Sequence, residues 1–298
     1  MEFINQEELN NMQFHSLEAL RAYLEQKKEF YNNSLAPDFE GLSPMQMHRL
    51  LREPFSETSP LNFQKADDTI FALMPFFLTI ETFLHIIQRE GTLKLTAKGN
   101  LPLKICAEIA DKNYFKEELS SINKLRKEED FMLIHTAKII ADISGLTRKA
   151  NGKLNVTKNA QKILAKNDRN ALFQVVFQTF MSKFNWCYFD GYNSELVGSV
   201  GWAFSLYLIR KYGHEAHPLS FYADKYLAAF PTLVEKTPPR AFGSPLSDAK
   251  NAYIVRTFSR YFYWFGFVHY PEKPSFMSRE NDIVFKTAVV DEIFLFDV

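Results

Sequence analysis

The sequence predicts a mostly α protein with short β-hairpins, in which multiple winged-helix-like units pack with a central helical region. Three observations carry this reading. Apolar residues recur at helical spacing through most of the chain. The strand-like run Leu93-Lys94-Leu95-Thr96-Ala97-Lys98-Gly99 returns 61 residues later as Leu154-Asn155-Val156-Thr157-Lys158-Asn159-Ala160. The dipeptide Asn151-Gly152 stands between two strand-like segments, and such a pair supplies the positive φ angles of a type I′ hairpin. Each copy of the repeated run is apolar at its first and third positions, ends at a threonine and follows a helix.

The elements follow in order. Residues 1–60 form an N-terminal helical segment: Ser16 to Tyr31 has helical spacing, and Ser43-Pro44 is a cap and first position for a helix through Leu51. Residues 61–112 form a first winged-helix-like unit, with Pro75 starting a helix whose Phe76, Ile80, Phe83 and Ile87 run down to Gly91. Residues 113–167 form a second: a stripe of Leu133, Ala137 and Ile140, a strand from Leu146 to Ala150, the Asn-Gly turn, a return strand and a helix. This is the order of the C-terminal half of a winged helix-turn-helix, where the helix before the hairpin is the one that enters a groove. Residues 168–239 are a helical region. It holds an amphipathic helix from Asp168 to Phe184 with Phe173, Phe177, Phe180 and Phe184 on one face, then helices from Glu195 to Tyr212 and from Phe221 to Phe230. Lys236 to Pro245, interrupted by Pro238, Pro239 and Gly243, reads as a linker. Residues 240–298 form a third unit. Its helix carries Ile254, Phe258, Tyr261 and Phe265 on one face. A strand from Gly266 to Tyr270, a loop from Pro271 to Asn281, a return strand from Ile283 to Thr287, and a short helix or strand with Ile293 and Phe294 complete it.

Composition narrows the function. With 298 residues and 46% of them hydrophobic, the chain is not disordered over most of its length. Its 35 basic and 35 acidic residues cancel, so nucleic acid or an anionic membrane would have to be held by a local patch. Cys106 and Cys187 form neither a disulfide framework nor a zinc pattern, which suits a reducing cytoplasm. The N-terminal residues lack the basic start and apolar run of a signal peptide. The apolar stretch Thr69 to Ile87 contains Pro75, Glu81 and His85, and an ionised Glu near a bilayer centre costs roughly 2.5 to 3.5 kcal/mol. It reads as a buried helix of a soluble protein, with no membrane partner.

The run Leu93 to Pro102 resembles the LTxxGNLP signature of a family of uncharacterised bacterial proteins. Some members stand alone, and others carry the same region beside a module found on plasmids and mobile elements. The similarity extends through Gly41-Leu42-Ser43-Pro44 with His48 and Leu50-Leu51, the second wing at Gly145 to Leu164, and Phe184-Asn185-Trp186. At the second wing Ala160 stands where the family's Thr-x-x-Gly has glycine. The resemblance implies a fold type and no catalytic residues.

Charge gives the best candidate surface. Arg148, Lys149, Lys153, Lys158, Lys162 and Lys166 lie between Ile143 and Asn167 with no acidic residue among them, as phosphate neutralisation requires; a solvated hairpin is the plainer reading. The helices before the first two wings offer Thr79, Glu81, Thr82, His85 and Gln88, and His135, Thr136, Lys138 and Asp142. Neither set suits bidentate base contacts. The third, with Lys250, Asn251, Arg256 and Arg260, has groove-like chemistry, or else its arginines pair with carboxylates inside the fold.

Enzymatic signals are poor. Gly-rich phosphate loop, HExxH, GxSxG and CxxC motifs are all missing, and no catalytic, metal or cofactor residue is assigned. His214-Glu215-Ala216-His217, bracketed by Gly213 and Pro218, reads as a loop. Cys187 and the aromatic run Tyr261 to Phe265 read as core, and the phenylalanine stripe as core or as a partner groove. The leading expectation is a non-enzymatic winged-helix interaction scaffold that binds a partner protein or itself. The alternative is a DNA-binding regulator, associated with a mobile element, that uses Arg148 to Lys153 with Arg256 and Arg260. A remote third is an enzyme whose cleft joins His48, His85 or His135 to acidic residues.

Overall fold

Helix starts follow the side chains that cap them. In the computed structural model, which describes residues 14–115, 126–238, 243–272 and 279–297, helix α1 (Leu17–Asn33) begins where the Ser16 hydroxyl accepts the Ala19 N–H. Helix α2 (Pro44–Arg52) begins with a reciprocal pair: Ser43 Oγ accepts from Gln46 N at 3.2 Å and Gln46 Oε1 from Ser43 N at 2.8 Å. Strand β1 (Leu61–Phe63) and the short helix α3 (Asp68–Phe71) lead into the body of the fold.

Residues 75–156 then build one unit. Helix α4 (Pro75–Glu90), strand β2 (Leu93–Lys94), helix α5 (Leu103–Ala110), helix α6 (Met132–Ile143) and the hairpin β3 (Thr147–Ala150) and β4 (Lys153–Val156) follow in turn. The strands form a single antiparallel sheet in the order β2-β4-β3, with Leu93 opposite Leu154. The two copies of the repeated run are thus neighbours in one sheet, and the strands expected in separate units of residues 61–112 and 113–167 belong to that one sheet. The reason is energetic: an isolated two-stranded hairpin is marginal in water, and the third strand lets Leu93, Leu154 and Val156, all buried, close over α4. Asn151 (φ 49°) and Gly152 (φ 71°) adopt the two positive angles that the turn requires. Helix α7 (Lys158–Ala165) follows, capped by Thr157. Its Ala160 has no exposed surface, so a small residue suits the position.

Helix α8 (Arg169–Ser182) is the hub. Phe173, Phe177 and Phe180 are buried. The Phe177 ring lies 5.4 Å from Phe265 and 5.1 Å from Phe294, so the phenylalanine stripe is core and no partner groove.

A second unit repeats the element order of the first. Helix α9 (Trp202–Tyr212), strand β5 (His217–Pro218), helix α10 (Leu219–Ala229), an added short helix α11 (Pro231–Glu235), helix α12 (Pro245–Tyr253) continued by a π-helix (Ile254–Phe262), and strands β6 (Val268–His269) and β7 (Ile283–Lys286) follow one another. The sheet order β5-β7-β6 again places the first strand beside the last. The unit therefore crosses the boundary expected at 239/240, since β5 comes from the helical region. Residues 239–242 of the linker and 273–278 of the loop lie outside the described residues, as do residues 1–13.

Two expected helices change here. The one expected from Glu195 starts at Trp202, because Gly198 and Gly201 both take positive φ; a Cβ at Gly201 would collide with the Phe230 ring. The stripe from Ile254 winds as a π-helix, which brings Arg256, Thr257, Phe258 and Tyr261 inward together. Helix α13 (Ala288–Ile293) and strand β8 (Phe294–Phe296), which pairs with β1, close the fold. Among the described residues no helix is long and apolar enough to cross a membrane.

Candidate interaction surface

The β2-β4-β3 sheet sorts its side chains by the alternation of a strand. Leu93, Leu154, Val156 and Thr147 point inward and are buried. The register places Lys94 opposite Lys153, and Arg148 opposite Asn155, on the outer face. Lys94, Arg148, Lys149, Lys153, Lys158, Lys162 and Lys166 are all exposed. None of them forms an ion pair among the described residues. Lys149 reaches across to the β2–α5 turn, where its Nζ lies 3.1 Å from a Cβ built on Gly99, so the exposed Lys98 adjoins the patch. Of the predicted cations, Arg148, Lys149, Lys153 and Lys158 come together. Lys94 and Lys98 were missed because the charge was counted along the chain and not across the sheet; the repeated run was the available signal.

The remaining predicted cations are elsewhere and engaged. Arg256 is 1% exposed. Its Nε donates to Asp190 Oδ2 at 2.5 Å, and its other nitrogens donate to the carbonyls of Ser194, Val197 and Tyr192. Arg260 donates to the carbonyls of Trp186, Tyr188 and Phe189. Lys250 pairs with Asp224. The groove role expected of Arg256 and Arg260 is therefore corrected: both staple the 186–197 loop to the π-helix, because a guanidinium drawn into the core must find acceptors there.

Helix α6 is equally engaged. Glu128, 1% exposed, accepts from His135 Nδ1 at 2.5 Å, from Lys138 Nζ at 2.9 Å and from the Leu101 N–H. Burial pushes its carboxyl pKa up, but the bonds from His135, Leu101 and Lys138 outweigh burial and hold it below the usual value. His135 Nε2 bonds the Tyr188 hydroxyl at 2.8 Å, and Lys138 also donates to the Gly99 carbonyl at 2.7 Å. Around this centre the run Leu93 to Pro102 folds as a clasp. Thr96 and Asn100 bond each other's backbone, and Asn100 Nδ2 holds Glu129.

A histidine joined to a carboxylate is the constellation that an enzyme would require. Here both ring nitrogens are engaged, Nδ1 by Glu128 and Nε2 by Tyr188. A cavity of about 110 Å³ nearby is lined by Thr79, Ile109, Phe115, Phe131, Leu133 and Ile134. The buried Cys106 thiol is pushed up to about 12, by burial first and by the Glu128 charge second, which leaves it inert as a nucleophile. Burial likewise raises Cys187, but this residue is only half-buried and its Sγ donates to the Glu195 carbonyl at 3.3 Å, so it is not the core residue expected. His214 and His217 face Glu215 from a turn and the start of β5. Tyr261, Phe262, Trp264 and Phe265 are buried, so this run is core.

The first unit is also the part of the chain with a counterpart elsewhere. Residues 72–169 match the Y4jL N-terminal domain. The match spans α4 to the start of α8, so it contains the whole β2-β4-β3 sheet and the clasp. No curated protein and no solved structure matches the chain.

Proposed function

We propose that the chain is a tandem of two winged-helix units that serves as a non-enzymatic interaction scaffold, and that it does not read base sequence. The element order and the strand order of residues 75–156 and 202–286 support the winged-helix assignment, with α6 and the α12/π-helix in the position of the groove-reading helix. One observation carries the functional reading: the polar side chains that those helices would offer to bases, His135, Lys138, Arg256 and Arg260, are spent on Glu128, Asp190 and backbone carbonyls. Base readout needs donors held free at a groove. The clasp around Glu128 also supports the resemblance to the family with the LTxxGNLP signature, since it gives that run a structural role. Two free thiols suit a reducing cytoplasm.

The test is selection of the full chain against a random-sequence duplex library at near-physiological salt, with mass in solution measured alongside. The reading predicts no enriched sequence, and association with itself or with a partner. An enriched site whose affinity is lost on substitution of an exposed residue of α6 or α12 contradicts it.

A further inference from the structure

We propose that the outer face of the first unit's sheet, built by Lys94, Arg148 and Lys153 and extended by Lys158 and Lys162 of α7, seats the phosphate backbone of duplex nucleic acid without reading its sequence. This names a partner for the scaffold and rests on that reading in taking the sheet, and not the helices, as the contact surface.

The first argument is segregation. The protein is neutral overall, yet no acidic residue occurs from Gly91 to Ala107 or from Ile143 to Asn167, and β2–β4 pairing brings these two stretches into one surface. Several cations elsewhere in the fold do pair with carboxylates: Arg89 with Glu108, Arg169 with Glu81, Lys225 with Glu40, Lys286 with Asp291.

The second argument is cost. Lys94 and Lys153 are directly opposed across strands, where like charges destabilise a sheet, and both are exposed. A ligand with dense negative charge converts that cost into affinity, and a duplex carries one charge per ~1.7 Å of axis.

The third argument selects among polyanions. Neighbouring strands lie about 4.8 Å apart and same-face residues about 6.6 Å apart, so the cations form a close, flat array suited to a backbone. The hairpin tip is Ala150-Asn151-Gly152, exposed and without a large apolar side chain to insert into lipid.

The experiment titrates the full chain into a mixed-sequence duplex of about 20 base pairs, at about 50 and about 150 mM salt, by fluorescence anisotropy. Neutralising about four phosphates gives a log–log salt slope near −3.6, so affinity falls about 50-fold between the two salts. The triple variant Lys94→Ala/Arg148→Ala/Lys153→Ala is expected to flatten the slope by about three units and to weaken binding equally on unrelated sequences. Lys183→Ala/Lys236→Ala, exposed lysines outside the patch, should leave the slope unchanged. A thermal melt of each variant separates lost charge from lost fold, and the single variant Lys153→Ala, expected to flatten the slope by about one unit, keeps the test alive if the triple variant misfolds. Absence of binding at the lower salt, or an unchanged slope in a folded variant, overturns the proposal. So does patch-dependent capture by phosphatidylserine vesicles with no binding to duplex. These results would leave the scaffold reading standing, whereas an enriched sequence read by α6 or α12 would overturn the scaffold and leave the salt-slope result for the sheet as it is.

Discussion

The two units share an order of elements and differ in what their sheets show to solvent. In the first, the hairpin turns in two residues and its outer face bears Lys94, Arg148 and Lys153, which form no ion pair among the described residues. In the second, Lys286 of β7 is paired with Asp291, and residues 270–282 separate the strands. The helices before the hairpins behave alike: α6 is held by Glu128, and the π-helix by Arg256 and Asp190. Both are tied to one loop, since Tyr188 takes His135 on its hydroxyl and Arg260 on its carbonyl. The comparison teaches that polar residues on a helix do not by themselves make a reading surface. In both units they are structural, and the difference in exposed chemistry lies in the strands.

Substitutions can break this comparison. The largest effect is expected at Arg256: Arg256→Met leaves Asp190 buried without its partner, and loss of one member of a buried pair costs about 3–5 kcal/mol. A denaturant titration checks this, and a loss below about 1 kcal/mol would mean that the arginine is not the staple described. Phe177→Ala should cost a similar ~3–5 kcal/mol and, because its ring bridges Phe63, Phe265 and Phe294, lower a single transition. Two separated transitions would show the units to be independent.

Acid should weaken the α6 clasp. The Glu128 carboxyl is held below its ordinary 4.5 in the folded chain, so the unfolded chain takes up this proton first as pH falls. The contribution is complete above about pH 4.5 and is lost below it, as pH drops through the folded value. Glu128→Gln should remove that part of the acid sensitivity, read as a shallower fall in melting temperature between about pH 5 and pH 3. The smallest effect is expected at Lys153→Ala, within about 0.5 kcal/mol and stabilising in sign, since it relieves the charge opposed to Lys94. A clear destabilisation would mean that Lys153 packs and is not held for a ligand.

Local signals were legible in the sequence. Ser16, Ser43, Pro75 and Asp168 mark helix starts that the structure keeps, the Asn151-Gly152 turn folds as read, and the phenylalanine stripe of α8 is core. Pairing across distance was not legible. Alternation marks the run at Leu93 as a strand but not which strand it pairs with, so two wings were counted where one sheet exists, and β5, two residues long, is too short to register at all. Arg256 looked available because its neighbours in sequence are not acidic; Asp190 lies 66 residues away. Neither the π-helix nor the breaks at Gly198 and Gly201 alter the apolar pattern on which helical spacing depends. The basic patch was half visible, since one of its two stretches lies on each side of α5 and α6.

The most direct measurement is hydrogen–deuterium exchange of the full chain with and without a mixed-sequence duplex at low salt. Protection confined to residues 92–104 and 147–166, with α6 and the α12/π-helix unchanged, is the result expected if the strands make the contact. Protection of residues 132–143 or 245–262, with the sheet unaffected, would contradict it.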